Sequence, residues 1–106
     1  MSNILEREIE RKLKILVEGQ LGGLCLKWVC PGWSGVPDRI LLLPGGRVGF
    51  VELKRPEGSR TTALQKWWRC KLATLGFDVW HIHSLDELKC LELLLTKEGD
   101  RKNDRN

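Results

Sequence analysis

The chain has 106 residues, which is enough for one compact domain and too few for two. Hydrophobic residues make up 42% of it and charged residues 30%, a balance that excludes collagen-like, wholly disordered and membrane-embedded proteins. The formal net charge of +4 favours a polyanionic partner, and no apolar run reaches the ~18 residues of a membrane span, so we expect a cytoplasmic protein.

The first half of the chain predicts one helix followed by three strands. Apolar residues recur at steps of three and four in the first twenty residues, which places them on one stripe of a helix. Two later runs of apolar residues flank a turn rich in proline and glycine, as in a β-hairpin. The predicted elements of this half are a helix over 4–21, strands over 24–29, 38–43 and 48–54, and an irregular loop over 30–37.

The second half predicts two helices around a fourth strand. Thr62 and Gln65 form a capping box that opens a helix ending near Leu75, residues 77–82 alternate like a half-buried strand, and a second capping box opens the last helix, to about Thr96. Residues 97–106 are charged, and we expect a disordered tail. The order α-β-β-β-α-β-α predicts an α/β (α+β) fold with a mixed sheet, in one domain of residues 1–96.

Three charged residues of the predicted hairpin should converge. Glu52 and Lys54 project from the same face of their strand because strand side chains alternate, and Asp38 opens the partner strand at the same end. Mg²⁺ prefers oxygen ligands and commonly takes only one or two protein carboxylates, so this cluster suits a divalent cation. The alternative is a cross-strand ion pair on a solvated sheet face.

The stretches Gly-Val-Pro-Asp-Arg and Phe-Val-Glu-Leu-Lys, followed by Gln65 in a helix, resemble the VRR-NUC (virus-type replication-repair nuclease) family of the PD-(D/E)xK nuclease superfamily. The resemblance covers about residues 6–88. It implies a restriction-endonuclease-like core and a Mg²⁺- or Mn²⁺-dependent endonuclease, in which Asp38 and Glu52 bind the metal and Lys54 lies beside the nucleophilic water. The main-chain carbonyl of Leu53 would add a ligand.

The resemblance also implies two more site residues, each with an ordinary structural alternative. The family has an acidic residue on its first helix, for which Glu10 is preferred here and Glu6 is second, although Glu10 could instead pair with Lys14 on the helix surface. Gln65 would lie near the metal, where its amide could hold the water or the lysine. The capping box explains the same glutamine without any catalysis.

Four basic residues, one tryptophan and one serine are candidates for contact with nucleic acid, through phosphates or stacked bases. They are Arg39, Arg55, Arg60, Lys66, Trp33 and Ser34. His81 and His83 with the four cysteines match no familiar zinc spacing. We read the cysteines as reduced and mostly buried.

The leading hypothesis is a structure-selective DNA endonuclease acting on a junction, a flap or a nick. Phage replication and DNA repair are the expected settings, in the host cytoplasm if the chain is viral, and the sequence leaves the pathway open. A homodimer with two active sites is expected because so short a chain has little surface for a branched substrate. One rival is a non-catalytic nucleic-acid-binding module with the same fold, and another is an assembly protein whose charged hairpin is only a solvated face.

Overall fold

The computed structural model describes residues 2–53 and 62–104, with side chains described for residues 5–53 and 62–97. Helices and strands follow the predicted order. They are α1 (Ser2–Lys14), continued by a π-helical segment (Ile15–Gln20), β1 (Leu24–Lys27), β2 (Arg39–Leu43), β3 (Arg47–Leu53), α2 (Ala63–Thr74), β4 (Asp78–Ile82) and α3 (Leu85–Asp104).

The four strands form one mixed sheet in the order β1-β2-β3-β4. The first three strands run antiparallel, and β4 lies parallel to β3 because α2 connects the two as a crossover helix. The predicted hairpin is confirmed, with Leu43 paired to Arg47 across a turn at residues 44–46. The α+β fold class with a mixed sheet is therefore confirmed.

One face of the sheet packs against α1 and α3. Alternate residues of each strand point to this face, and the helices present apolar residues spaced by three and four to meet them. The fully buried members of this core are Ile9, Leu13, Val17, Leu41, Val51, Ile82 and Leu95. We call this side the core face.

The opposite face is covered by α2 and by the loop before β2, and we call it the α2 face. Here the ring of Phe50 packs on Trp28 at 4.9 Å and on Phe77 at 5.6 Å between centroids. Trp28 in turn meets Trp68 of α2 edge to face at 5.8 Å. Large rings fill this smaller layer because one helix alone cannot cover a four-stranded sheet.

Two expectations fail in this part of the structure. The last helix continues to Asp104, beyond the predicted end near Thr96, so the stretch predicted as a disordered tail is helical to that point. All four cysteines are free as expected, but only Cys25 is buried. Burial, reinforced by the carboxylate of Glu18, raises the pKa of the Cys25 thiol to about 11.

The predicted boundary of the domain at residue 96 stays a prediction. Within residues 2–53 and 62–104, none of the helices combines the length and the hydropathy needed to cross a bilayer.

Candidate active site

Asp38 lies where the loop ends and β2 begins. Its main-chain carbonyl accepts a hydrogen bond from the Trp28 N–H at 2.9 Å, which extends the pairing of β1 with β2 by one residue. Its carboxylate turns toward β3, where Oδ2 accepts a hydrogen bond from the Leu53 N–H at 2.8 Å. The carboxylate is thus fixed against the end of β3, next to Glu52.

Glu52 lies on β3, the strand that pairs with β2. Arg39 pairs with Val51 across the hairpin, so one further step of the same register sets Asp38 beside Glu52, on the α2 face. The Glu52 side chain is only 3% exposed and is the one buried charged residue among those whose side chains are described. The predicted proximity of the two acids is therefore consistent with the strand register and with the Asp38–Leu53 hydrogen bond.

His81 adjoins Glu52 and Arg69 adjoins His81, and the sequence reasoning missed both contacts. The parallel register places His81 beside Glu52, with Nε2 3.3 Å from Glu52 Oε2. On the other side of the imidazole ring, Arg69 of α2 places Nη2 3.1 Å from His81 Nδ1. The alternation of apolar and polar residues in 77–82 could have predicted which face of the sheet His81 lies on. Only the parallel register of β3 and β4 shows that its neighbour is Glu52.

The loop before Asp38 packs closely against the start of α2. Gly35 has a φ of +82°, and a Cβ atom there would lie 2.7 Å from Leu64 Cβ and 2.9 Å from the Leu64 carbonyl carbon. The indole N–H of Trp68 donates to the Ser34 carbonyl at 3.0 Å. Glycine at position 35 therefore permits the close contact between the loop that leads to Asp38 and the start of α2.

Gln65 serves the helix start, and the predicted capping box is confirmed. The Thr62 hydroxyl accepts from the Gln65 N–H at 3.1 Å, and Gln65 Oε1 accepts from the Thr62 N–H at 2.9 Å. The side-chain carbonyl is thus engaged locally. The role of Gln65 beside a metal stays a prediction.

Glu10 forms an ion pair with Arg39 rather than with Lys14. Arg39 alternates with Asp38 along the strand and therefore belongs to the core face, where burial lowers the pKa of its guanidinium. Among the residues with described side chains, no group of three or more His, Cys, Asp or Glu is placed to hold a metal ion. The predicted part of Glu10 in the metal site stays a prediction, as does that of Glu6, the second choice.

The candidates for nucleic-acid contact divide into three groups. Trp33 is 60% exposed and lies nearly parallel to Trp67, with 6.4 Å between ring centroids, while Ser34 and Lys66 are exposed close by. Arg39 instead lies on the core face, partly buried and paired with Glu10. Two remaining candidates, together with the predicted catalytic lysine, lie outside the described part of the chain. They are Lys54, Arg55 and Arg60.

Comparison with known proteins identifies relatives along most of the chain. No family model matches it. It is 41% identical over 86 residues to "Putative nuclease p44" of Acyrthosiphon pisum secondary endosymbiont phage 1, a match covering 81% of this chain and 90% of that protein. A solved structure described as "VRR_NUC domain" superposes with a TM-score of 0.74 at 30% identity, over 81% of this chain and 91% of the other. The chain belongs to the VRR-NUC family.

The acidic pair of this VRR-NUC chain has the donor chemistry of a Mg²⁺ or Mn²⁺ site. Asp38 and Glu52 offer carboxylate oxygens from the ends of neighbouring strands. Mg²⁺ keeps several of its waters and binds through one or two carboxylates, so two acids without a third are sufficient. The residues present therefore fit such an ion.

Proposed function

We propose that this chain is a metal-dependent, structure-selective DNA endonuclease that hydrolyses phosphodiester bonds in branched or nicked DNA. The observation that carries the proposal is the fixing of the Asp38 carboxylate on the Leu53 N–H, directly beside the buried Glu52. Membership of the VRR-NUC family and the name of its phage relative as a nuclease support it.

Asp38, Glu52 and the carbonyl of Leu53 are the groups that would hold Mg²⁺ or Mn²⁺. Such an ion, when bound, polarises a phosphate and lowers the pKa of a water ligand. The chain's own contribution is preorganisation, because Asp38 is held by a main-chain N–H and Glu52 is buried in the sheet. Lys54 follows Leu53 directly in the sequence, and we assign it to the orientation of the attacking water.

The DNA would approach across the end of the sheet that carries the two acids. Lys66 and the exposed ring of Trp33 lie on α2 and on the loop beside this end, and Arg55 and Arg60 follow β3 in the sequence. The positive net charge favours phosphate contacts, and the tryptophan offers a surface for an unstacked base.

We also propose a homodimer, whose two sites would suit a four-way junction. Analytical ultracentrifugation that shows only monomer would contradict this proposal.

Cleavage assays on a panel of DNAs test the function. Junction, flap, nicked and plain duplex substrates would be incubated with Mg²⁺, Mn²⁺ or EDTA. We expect cleavage of branched or nicked DNA only with a metal, and a loss of at least about a hundredfold for Asp38→Asn and for Lys54→Ala. Asp78→Asn is the matched control, because Asp78 is an exposed acid at the opposite end of β4 and should leave the rate unchanged.

Two outcomes would contradict the proposal. Parent-like cleavage by Asp38→Asn would show that the assigned mechanism is wrong. Metal-independent binding of the same DNAs without any cleavage would instead identify a non-catalytic binding module with this fold. Salt-dependent affinity would accompany binding in either case, since phosphate contacts release counterions.

A further inference from the structure

A row of three polar side chains, two partly buried and the last fully buried, connects α2 to the acidic pair. It starts at Arg69 on α2, passes through the imidazole of His81 on β4 and ends at Glu52 on β3. The contacts are 3.1 Å from Arg69 Nη2 to His81 Nδ1 and 3.3 Å from His81 Nε2 to Glu52 Oε2. The His81 side chain is 14% exposed and that of Glu52 3%, so water contributes little to their solvation.

The contact with Arg69 determines which nitrogen of His81 carries the proton. A guanidinium has donors and no acceptor, so Nδ1 must accept the hydrogen bond with its lone pair. In a neutral imidazole the remaining hydrogen is then on Nε2, the nitrogen that faces Glu52. The ring therefore turns its Nε2 side toward the carboxylate at 3.3 Å, a close contact that lacks the alignment of a hydrogen bond, and the opposite tautomer would place two hydrogens against each other at Arg69.

This arrangement addresses the cost of burying Glu52. A carboxylate removed from water is stabilised by donors and by positive charge nearby. His81 places Nε2 3.3 Å from the carboxylate, without the alignment of a hydrogen bond, and the guanidinium of Arg69 supplies a full positive charge behind the ring. Because both partners lie on different elements from Glu52, they also limit the rotamers that its side chain can adopt.

We infer that Arg69 and His81 are positioning residues that orient the Glu52 carboxylate for metal binding, through a His81 tautomer protonated on Nε2. The inference rests on the proposed function, since it assigns Glu52 to the metal. The recorded contacts run from Arg69 to His81 and from His81 to Glu52, so we assign both residues an action through Glu52. Residues behind a metal ligand typically change metal affinity about ten- to a hundredfold when they are removed.

Nitrogen NMR of the imidazole rings, without metal or DNA, tests the inferred tautomer of His81. In ¹⁵N-labelled full-length protein at a pH where histidine is neutral, we expect His81 to show a protonated Nε2 and an unprotonated Nδ1. The Arg69→Gln variant should lose this preference and move toward a mixture of tautomers. A parent His81 that is protonated on Nδ1, or that is already a mixture, would overturn the inference.

Mn²⁺ binding, measured by electron paramagnetic resonance, tests whether Arg69 and His81 affect metal binding through Glu52. We expect His81→Val and Arg69→Gln to weaken Mn²⁺ binding at least about tenfold, with much smaller loss in His81→Gln, which retains an N–H donor. The double variant should lose less than the product of the two single losses, since both act through one contact. Unfolding curves of each variant establish that it is folded.

His83→Val is the matched control for these measurements. His83 also lies 3.3 Å from a glutamate, Glu87, but that pair is exposed and remote from the acidic pair, so Mn²⁺ affinity should not change. Equal losses in His81→Val and His83→Val would overturn the inference, as would parent-like affinity in both His81→Val and Arg69→Gln. Absence of Mn²⁺ binding by the parent would contradict the proposed function itself. The NMR spectrum would still test the tautomer of His81, because it needs no metal.

Discussion

The two faces of the sheet are built from alternate residues of the same strands, yet they differ in chemistry. On β3, Val51 and Leu53 enter an apolar layer under α1 and α3, whereas Phe50 and Glu52 enter a layer of rings and charges under α2. The core face is closed by two helices. The α2 face is covered by one, and its acidic end remains accessible at Asp38, which is exposed.

This difference indicates that alternate residues of each strand serve different purposes, stability on the core face and the candidate site on the α2 face. Residues of the core face stabilise the fold, while residues of the α2 face tolerate a buried charge that lowers stability unless it is compensated. Functional sites commonly carry such a cost. Substitutions on the two faces should therefore separate stability from activity.

The largest effect on stability is expected at the centre of the core face. Leu13 has no exposed surface, so Leu13→Ala removes buried methyl groups and leaves a cavity. We expect the free energy of unfolding in urea to fall by about 2–5 kcal/mol. Leu93→Ala, at a position 65% exposed on α3, should change it by less than about 0.5 kcal/mol. Similar losses in the two variants would contradict the packing described for this face.

The next effect concerns the contact between the loop and α2. Gly32 and Gly35 both have positive φ, but a Cβ at Gly32 has nothing within 4 Å, whereas one at Gly35 would meet the backbone of Leu64. Gly32→Ala should cost about 1 kcal/mol from conformation alone. Gly35→Ala should cost about 1–3 kcal/mol more and also reduce cleavage, because the loop that ends at Asp38 must move. Equal unfolding curves for the two variants would show that the close contact does not matter.

The smallest of these effects lies at the start of α2. Thr62→Ala removes the acceptor for the Gln65 N–H and should lower the free energy of unfolding by about 1 kcal/mol. Thr74→Ala is the control, because the Thr74 hydroxyl only donates to a carbonyl already within the helix, that of Cys70. Its urea midpoint should stay close to that of the parent, and a drop as large as that of Thr62→Ala would rule out the capping explanation.

Local patterns made much of the fold predictable. The spacing of apolar residues gave α1, the turn residues gave the hairpin, and the pair Thr62 and Gln65 gave the start of α2. The alternation of β3 and the place of Asp38 before β2 also set the two acids on one face. These features depend on residues close together in the sequence, or on a short hairpin that fixes its own register.

Longer-range pairings were not predictable. The neighbour of Glu52 is His81, which lies 29 positions further along the chain in a parallel strand whose register no turn specifies. Arg69 reaches the same ring because α2 crosses above that strand. The pairing of Glu10 with Arg39 likewise depends on how α1 lies across the sheet, which the helical pattern alone does not determine.

The most direct test of the central claim is a titration of Mn²⁺ against the parent, Asp38→Asn and Glu52→Gln, followed by electron paramagnetic resonance without DNA. If the two carboxylates hold one ion together, each substitution should weaken binding at least about tenfold while circular dichroism shows the parent's fold. Parent-like Mn²⁺ affinity in either folded variant would contradict the account.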